Sequence, residues 1–251
     1  MTMRKLLILL LFLPIGLFGQ IPKVKTSVSY AHLGESGFPQ IESGTQTGQT
    51  AQGTSHSITM PTGVQVGELI MVLFAVDGVE TISINTGISG DNWTIESQNS
   101  ANGTFDASGC VVWKIAEGSD VLTLTTTIEQ GTFISYRITD FKTSDPLTVT
   151  NTTALNASNT YDPPSNTGDY GAVNYLWVVF AAVDNVRSEV ASAAPTDFSD
   201  LTTQIGVDVA AASSSAAIRE YNIGTAYDPG GFTASAGLTD YVTFTIIVNP
   251  K

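Results

Sequence analysis

The chain has 251 residues, with 10 Lys and Arg against 23 Asp and Glu, a formal charge of −13 at pH 7. A surface of that sign repels nucleic acid and anionic membranes, whose binding relies on basic patches that release counterions. The single cysteine excludes an internal disulfide, so stability must come from core burial; only 13% of residues are charged, and the polar surface is mostly Thr, Ser, Asn and Gly.

The first residues read as an export signal. Arg4 and Lys5 precede an apolar run over residues 6–18, interrupted by Pro14 and Gly16. That run has the length of a signal-peptide core and falls short of the ~20 residues that span a bilayer. Cleavage is expected between Gly19 and Gln20, giving a secreted or cell-surface protein with no membrane insertion after the cut. Loss of Arg4 and Lys5 takes the charge from −13 to −15. N-terminal mass spectrometry of protein from its host is expected to find Gln20 first; an intact Met1 in exported material would overturn this.

Beyond the leader, short runs of Val, Ile, Thr, Phe and Tyr alternate with Gly, Asn, Asp, Ser and Pro, a pattern of strands and turns throughout. Residues 24–30 predict a first strand, and the polar, Gly-rich stretch 34–53 predicts a long loop or arm. The apolar runs 69–76 and 176–183 are too short for typical buried helices and predict central strands covered on both faces. Cys110, in the run Cys110-Val111-Val112-Trp113, is expected to be a buried, inert thiol. The Ala- and Ser-rich stretch 209–217 predicts a strand through its alignment with the one around Val111 and Trp113.

Self-comparison organises these elements. Residues 69–77 match 176–184, and Ile134, Tyr136 and Ile138 match Val242, Phe244 and Ile246. Residues 116–118 match 222–224, and residues 57–61 match 160–164, in the same order. The expected organisation is a signal peptide over 1–19, an N-terminal strand and flexible arm over 20–53, a first β-sandwich repeat over 54–142 and a second over 143–251. The fold class is all-β: two tandem related antiparallel β-sandwiches with jelly-roll-like connections.

Several segments resemble a widespread family of two-repeat β-sandwich proteins found in phage tails and virions and among bacterial secreted or surface proteins. They are Pro61-Thr62-Gly63-Val64-Gln65-Val66-Gly67-Glu68-Leu69, the strand ending Val76-Asp77-Gly78, Asn92-Trp93-Thr94, and Val112-Trp113-Lys114-Ile115-Ala116-Glu117-Gly118-Ser119. The resemblance continues through 176–184 and 242–250. It implies tail-, fibre- or surface-associated roles without a known catalytic centre.

Residues suited to chemistry are few. His32 and His56 are the only histidines, lie in Gly- and Ser-rich sequence, and are expected to be surface loop residues rather than members of a Ser–His–Asp site. Asp77 with Glu80, and Asp184 with Glu189, could supply paired carboxylates for glycoside hydrolysis. Their recurrence at the end of a buried strand favours a shared turn, with the carboxylate accepting backbone N–H bonds. Calcium could draw oxygen ligands from Gly90-Asp91-Asn92, Asp162 and Asp169; no other cofactor is expected. Trp93, Trp113 and Trp177 read as core, whereas Tyr161, Tyr170, Tyr227 and Phe232, in turn-rich sequence, are the candidate surface ligand contacts. Glycosylation sequons begin at Asn92, Asn102, Asn151 and Asn156. The expectation is a non-catalytic structural or adhesion protein that self-assembles or meets a surface glycan, with a glycan-binding module and a phage virion protein as alternatives.

Overall fold

The computed structural model describes residues 37–85, 92–184, 190–207 and 211–251, with the backbone alone at 156–159 and 235–238. The signal peptide, the strand predicted at 24–30, His32, Asp91 and Glu189 lie outside them. Every regular element among the described residues is a β-strand. The first half holds β1 (Gln40–Ile41), β2 (Gln46–Gln49), β3 (Gly53–Ile58), β4 (Leu69–Asp77), β5 (Ser83–Ile84), β6 (Thr94–Ala101), β7 (Ala107–Ile115), β8 (Leu122–Glu129) and β9 (Gly131–Thr139). The second holds β10 (Leu147–Tyr161), β11 (Val173–Asp184), β12 (Ala191–Ala193), β13 (Ser199–Gln204), β14 (Ala212–Ile223) and β15 (Phe232–Val248).

Pairing reveals the duplication. The first main sheet runs β1-β9-β4-β7-β6, with β2 also on β9, and the second runs β10-β15-β11-β14-β13, with β12 also on β15. Position by position the orders are the same: an N-terminal edge strand, the last strand of the half, the apolar strand, then two more. The registers adjust the sequence alignment. With Leu73 on Phe180, Ile134 lies on Phe244, two positions further along than the sequence match and on the same face. Likewise Ile115 lies on Glu220, so the match of 116–118 to 222–224 is one residue out.

The two main sheets pack face to face. Leu69, Met71, Leu73, Ile134, Tyr136 and Ile138 meet Val178, Phe180, Ala182, Val242, Phe244 and Ile246 in one core. Facing strands are β4 on β11, β7 on β15, β14 on β9, and β6 on β10. Exchanging each strand for its counterpart turns β4 on β11 into itself and β7 on β15 into β14 on β9, so the centre of the interface is approximately two-fold. The contact of β6 on β10 has no counterpart, since β13 meets β2 and β9 instead of β1. Phe180 and Phe244 stack at its centre with ring centroids 5.5 Å apart. Gly109 is needed opposite them: a Cβ there would lie 2.9 Å from Ala182 Cβ and 3.0 Å from the Phe244 ring. The counterpart of Gly109 is Ser214, which meets the Thr132 hydroxyl at 2.7 Å instead of an aromatic ring.

The outer faces are covered differently. A third sheet, β3-β8-β5, closes the first half, placing Ile58, Ile82, Trp93, Leu122 and Leu124 against Ile70, Val72, Phe74 and Val112. The second half has no such sheet among the described residues. Tyr161, Phe232 and Tyr241 pack against Val179, Ala181 and Val183, and Asn166 and Tyr227 form an isolated bridge. Strands β4 and β11 are thus buried on both sides, as their unbroken apolar sequence predicts.

The arm expected over 34–53 needs correction. From Gln40 it is strand, pairing with Thr139 and Ile138 through β1 and with residues 132–135 through β2. Its Gln and Thr side chains suit an edge, where one face meets water and the backbone still finds partners. The described residues, from Gly37 onward, form one compact unit.

Candidate functional site

His56 is not a loop residue. It sits fully buried on β3, its ring 5.3 Å from Phe74, with Nδ1 2.7 Å from the Thr50 hydroxyl and Nε2 2.6 Å from that of Thr126. The Thr126 hydroxyl also reaches the Thr127 carbonyl at 2.9 Å and the Thr50 hydroxyl the Gly131 carbonyl at 3.4 Å, so the direction of each bond to the ring follows the histidine tautomer. The strand period turns His56 and Ile58 inward together, which its Gly- and Ser-rich surroundings concealed. Burial holds its pKa below the ordinary value, with Glu80 opposing in part. The stability tied to neutral His56 is full above about pH 6.5 and declines as pH falls toward the folded pKa.

The carboxylates at the end of β4 behave as turn residues. Asp77 accepts the Gly78 amide at 2.9 Å, and Glu80 accepts the Thr127 amide at 2.8 Å and its hydroxyl. Burial raises the Asp77 pKa, the Gly78 bond opposes, and Asp106 and Glu80 add to the rise. Asp184 is buried at the matching place on β11. Glu129 is the residue here that sequence reading missed. Burial, then Asp77 and Glu80, push its carboxyl up to about 7, and its Oε2 has no hydrogen-bond partner. A folded pKa above the unfolded one means stability present below about pH 4.5 and lost as pH rises through 7. Glu129→Gln is therefore expected to raise the thermal midpoint at pH 8 and leave it unchanged at pH 4; equal midpoints at pH 8 would refute this reading.

Of the calcium candidates, Gly90 and Asp91 lie outside the described residues. Asp162 and Asp169 are exposed, and Asp169 accepts the Thr148 hydroxyl. Among the described residues no group of three or more His, Cys, Asp or Glu is arranged to hold a metal ion.

The aromatic candidates divide. Tyr161 and Phe232 are core residues rather than surface contacts: they pair across β10 and β15, and Tyr161 meets Tyr241 edge-on at 5.4 Å. Their turn-rich neighbourhood misled because the second half covers its sheet with turns. Tyr227 is half-buried, its ring edge-on to Trp177 and Tyr221 and its hydroxyl bonded by Arg219. The Arg219 guanidinium lies 3.9 Å over the Tyr221 ring and 3.6 Å from Asp197. Tyr170 alone is exposed, with Lys142 Nζ 3.6 Å over its ring and its hydroxyl donating to Asp145. Trp93 and Trp177 are buried and Trp113 is half-buried, its indole donating to Glu96. Cys110 is fully buried, and burial pushes its thiol well above the ordinary range.

Side-chain bonds join the edges of the two main sheets. Asn99 Nδ2 donates to Asn151 Oδ1 at 2.6 Å, and Asn151 Nδ2 donates to Ser97, joining β6 to β10. Gln49 donates to the Ile205 carbonyl, and Gln130 accepts the Val207 amide along the opposite seam. These bonds use the sequon side chain of Asn151, while Asn92 and Asn102 are exposed. No helix among the described residues is long and apolar enough to cross a membrane. No protein-family model matches the chain, and neither does any curated protein or solved structure.

Proposed function

We propose that the protein is a non-catalytic exported structural or adhesion protein of a cell surface or extracellular assembly. The observation that carries this reading is the internal use of its polar side chains. His56 is enclosed by two threonines, Glu80 is bound to Thr127, and Asn99 and Asn151 join the main sheets. Such a block transmits and presents rather than reacts. The leader-like residues 1–19 and the pattern shared with phage and bacterial surface β-sandwich proteins support the same reading. Among the described residues strand β3 pairs on one side only, with β8, and exposes Thr54, Ser55 and Ser57, so a partner's strand can extend it.

Negative-stain imaging and light scattering of the purified protein test the proposal. Filaments or particles are expected, with assembly lost on Ser55→Pro, which blocks strand addition. A concentrated sample that stays monomeric, or one that hydrolyses a glycan or ester, overturns it. A glycan-binding module is the second reading, favoured by Tyr170 and tested by a glycan array with Tyr170→Ala as the control.

A further inference from the structure

At one end of the first half, two turns stand apart. One joins β3 to β4 through Met60, Pro61 and Val64, and the other joins β7 to β8 through Gly118, Ser119, Asp120 and Val121. Between them lies a cleft of about 350 Å³, with the fully buried Ile70 among its lining residues. It opens into the apolar layer between the first main sheet and the third, where Met60 and Val64 pack against that core.

The Asp120 carboxylate and the Val121 carbonyl on its wall are already paired. The Asp120 carboxylate receives the Lys114 ammonium at 2.9 Å and the amides of Glu117 and Gly118 at 3.0 Å. The Val121 carbonyl accepts the Trp93 indole N–H at 2.8 Å. No charge is left to answer a charged ligand, whose desolvation would go uncompensated. The rim is apolar and wet: Val66 is 74% exposed and Val121 47%. Gly118, at φ +99°, lets the second turn approach Val66; a Cβ there would lie 3.2 Å from Val66 Cγ2.

We infer that this cleft binds a small uncharged apolar molecule, a single ring or a short aliphatic chain. The volume is at the small end of ligand sites and far below what a helix or a strand needs. A ligand seated there would cover the Val64 and Val121 side chains, removing apolar surface from water. The inference is independent of the assembly reading.

Trp93 is a built-in reporter, because its indole is bonded to a wall residue. The full-length protein would be titrated with 1-hexanol and with indole, and in parallel with hexanoate and hexylammonium, following the methyl resonances of Met60, Val64, Ile70 and Val121. Saturable shifts confined to those methyls and to the Trp93 indole are expected with the neutral probes, and binding about tenfold weaker with the charged ones. Val64→Trp and Val121→Trp, each filling the cleft from a different turn, are expected to abolish the shifts, while Ile128→Trp, on exposed β8 surface, leaves them intact. Shifts that do not saturate, charged probes that bind as well, or shifts that survive both filling substitutions would overturn the inference. So would shifts that follow protein concentration instead of probe, since the occupant would then be a second copy of the chain.

Discussion

Phe244→Ala is expected to destabilise both halves of the protein together, by about 3–5 kcal/mol, the cost of deleting a buried aromatic ring. Phe244 belongs to the second half, yet its ring stacks on Phe180 and closes over Gly109 of the first half. The cavity therefore opens in a core that both sheets own. Urea unfolding in a Trp177→Phe background makes the test specific, since Trp93 and Trp113 then report on the first half alone. Their midpoint is expected to fall with the circular-dichroism midpoint in one cooperative transition. A first-half midpoint that stays in place while the second half melts earlier would show two independent sandwiches.

Lys114→Met is expected to cost about 3–5 kcal/mol at pH 7, because it leaves a buried carboxylate uncompensated. The Lys114 and Asp120 side chains are 4% and 3% exposed and 2.9 Å apart, with Glu117 3.0 Å from the same ammonium. Burial pushes the Asp120 carboxyl up, but its bond to Lys114 and those from the Glu117 and Gly118 amides outweigh burial and hold it low. A depressed folded pKa means stability that is full above about pH 4 and lost as pH falls through the folded value. The penalty of Lys114→Met should accordingly shrink at pH 4, where Asp120 can take a proton. Adding Asp120→Asn should restore part of the loss at pH 7. If the single and double variants unfold at the same urea concentration, the pair is not coupled. Lys114 interrupts an otherwise apolar strand, a signal of buried charge that reading the run around Cys110 as simple core passed over.

The all-β class and the duplicated strands were legible because each rests on local facts. A strand covered on both faces must be apolar at every position, and 69–76 and 176–183 are. The last strands alternate apolar with polar residues, as at Ile134, Tyr136 and Ile138, but the polar face is covered as well: Ser135, Thr243 and Thr245 are fully buried. The candidate contacts were less legible. Tyr170 is where its turn-rich sequence predicted, at the surface. Tyr161 and Phe232 have equally turn-rich neighbours but are buried, because the second half has no third sheet among the described residues and packs these side chains against Val179, Ala181 and Val183 instead.

What the sequence by itself determined about this protein is the kind of element and the number of related halves, since hydrophobic period and turn chemistry act over a few residues at a time. Only the tertiary structure decided that the halves share one core, that residues 40–49 are edge strand instead of arm, and that His56 is sealed between Thr50 and Thr126. These outcomes depend on which face meets which partner across gaps of more than a hundred residues, as between Gly109 and Phe244. A face of Leu, Met and Ile is equally apolar whether its cover is a sheet of its own half or of the other. The choice falls to shape, and at its centre to the absence of a side chain at Gly109, which lets Phe244 close the interface.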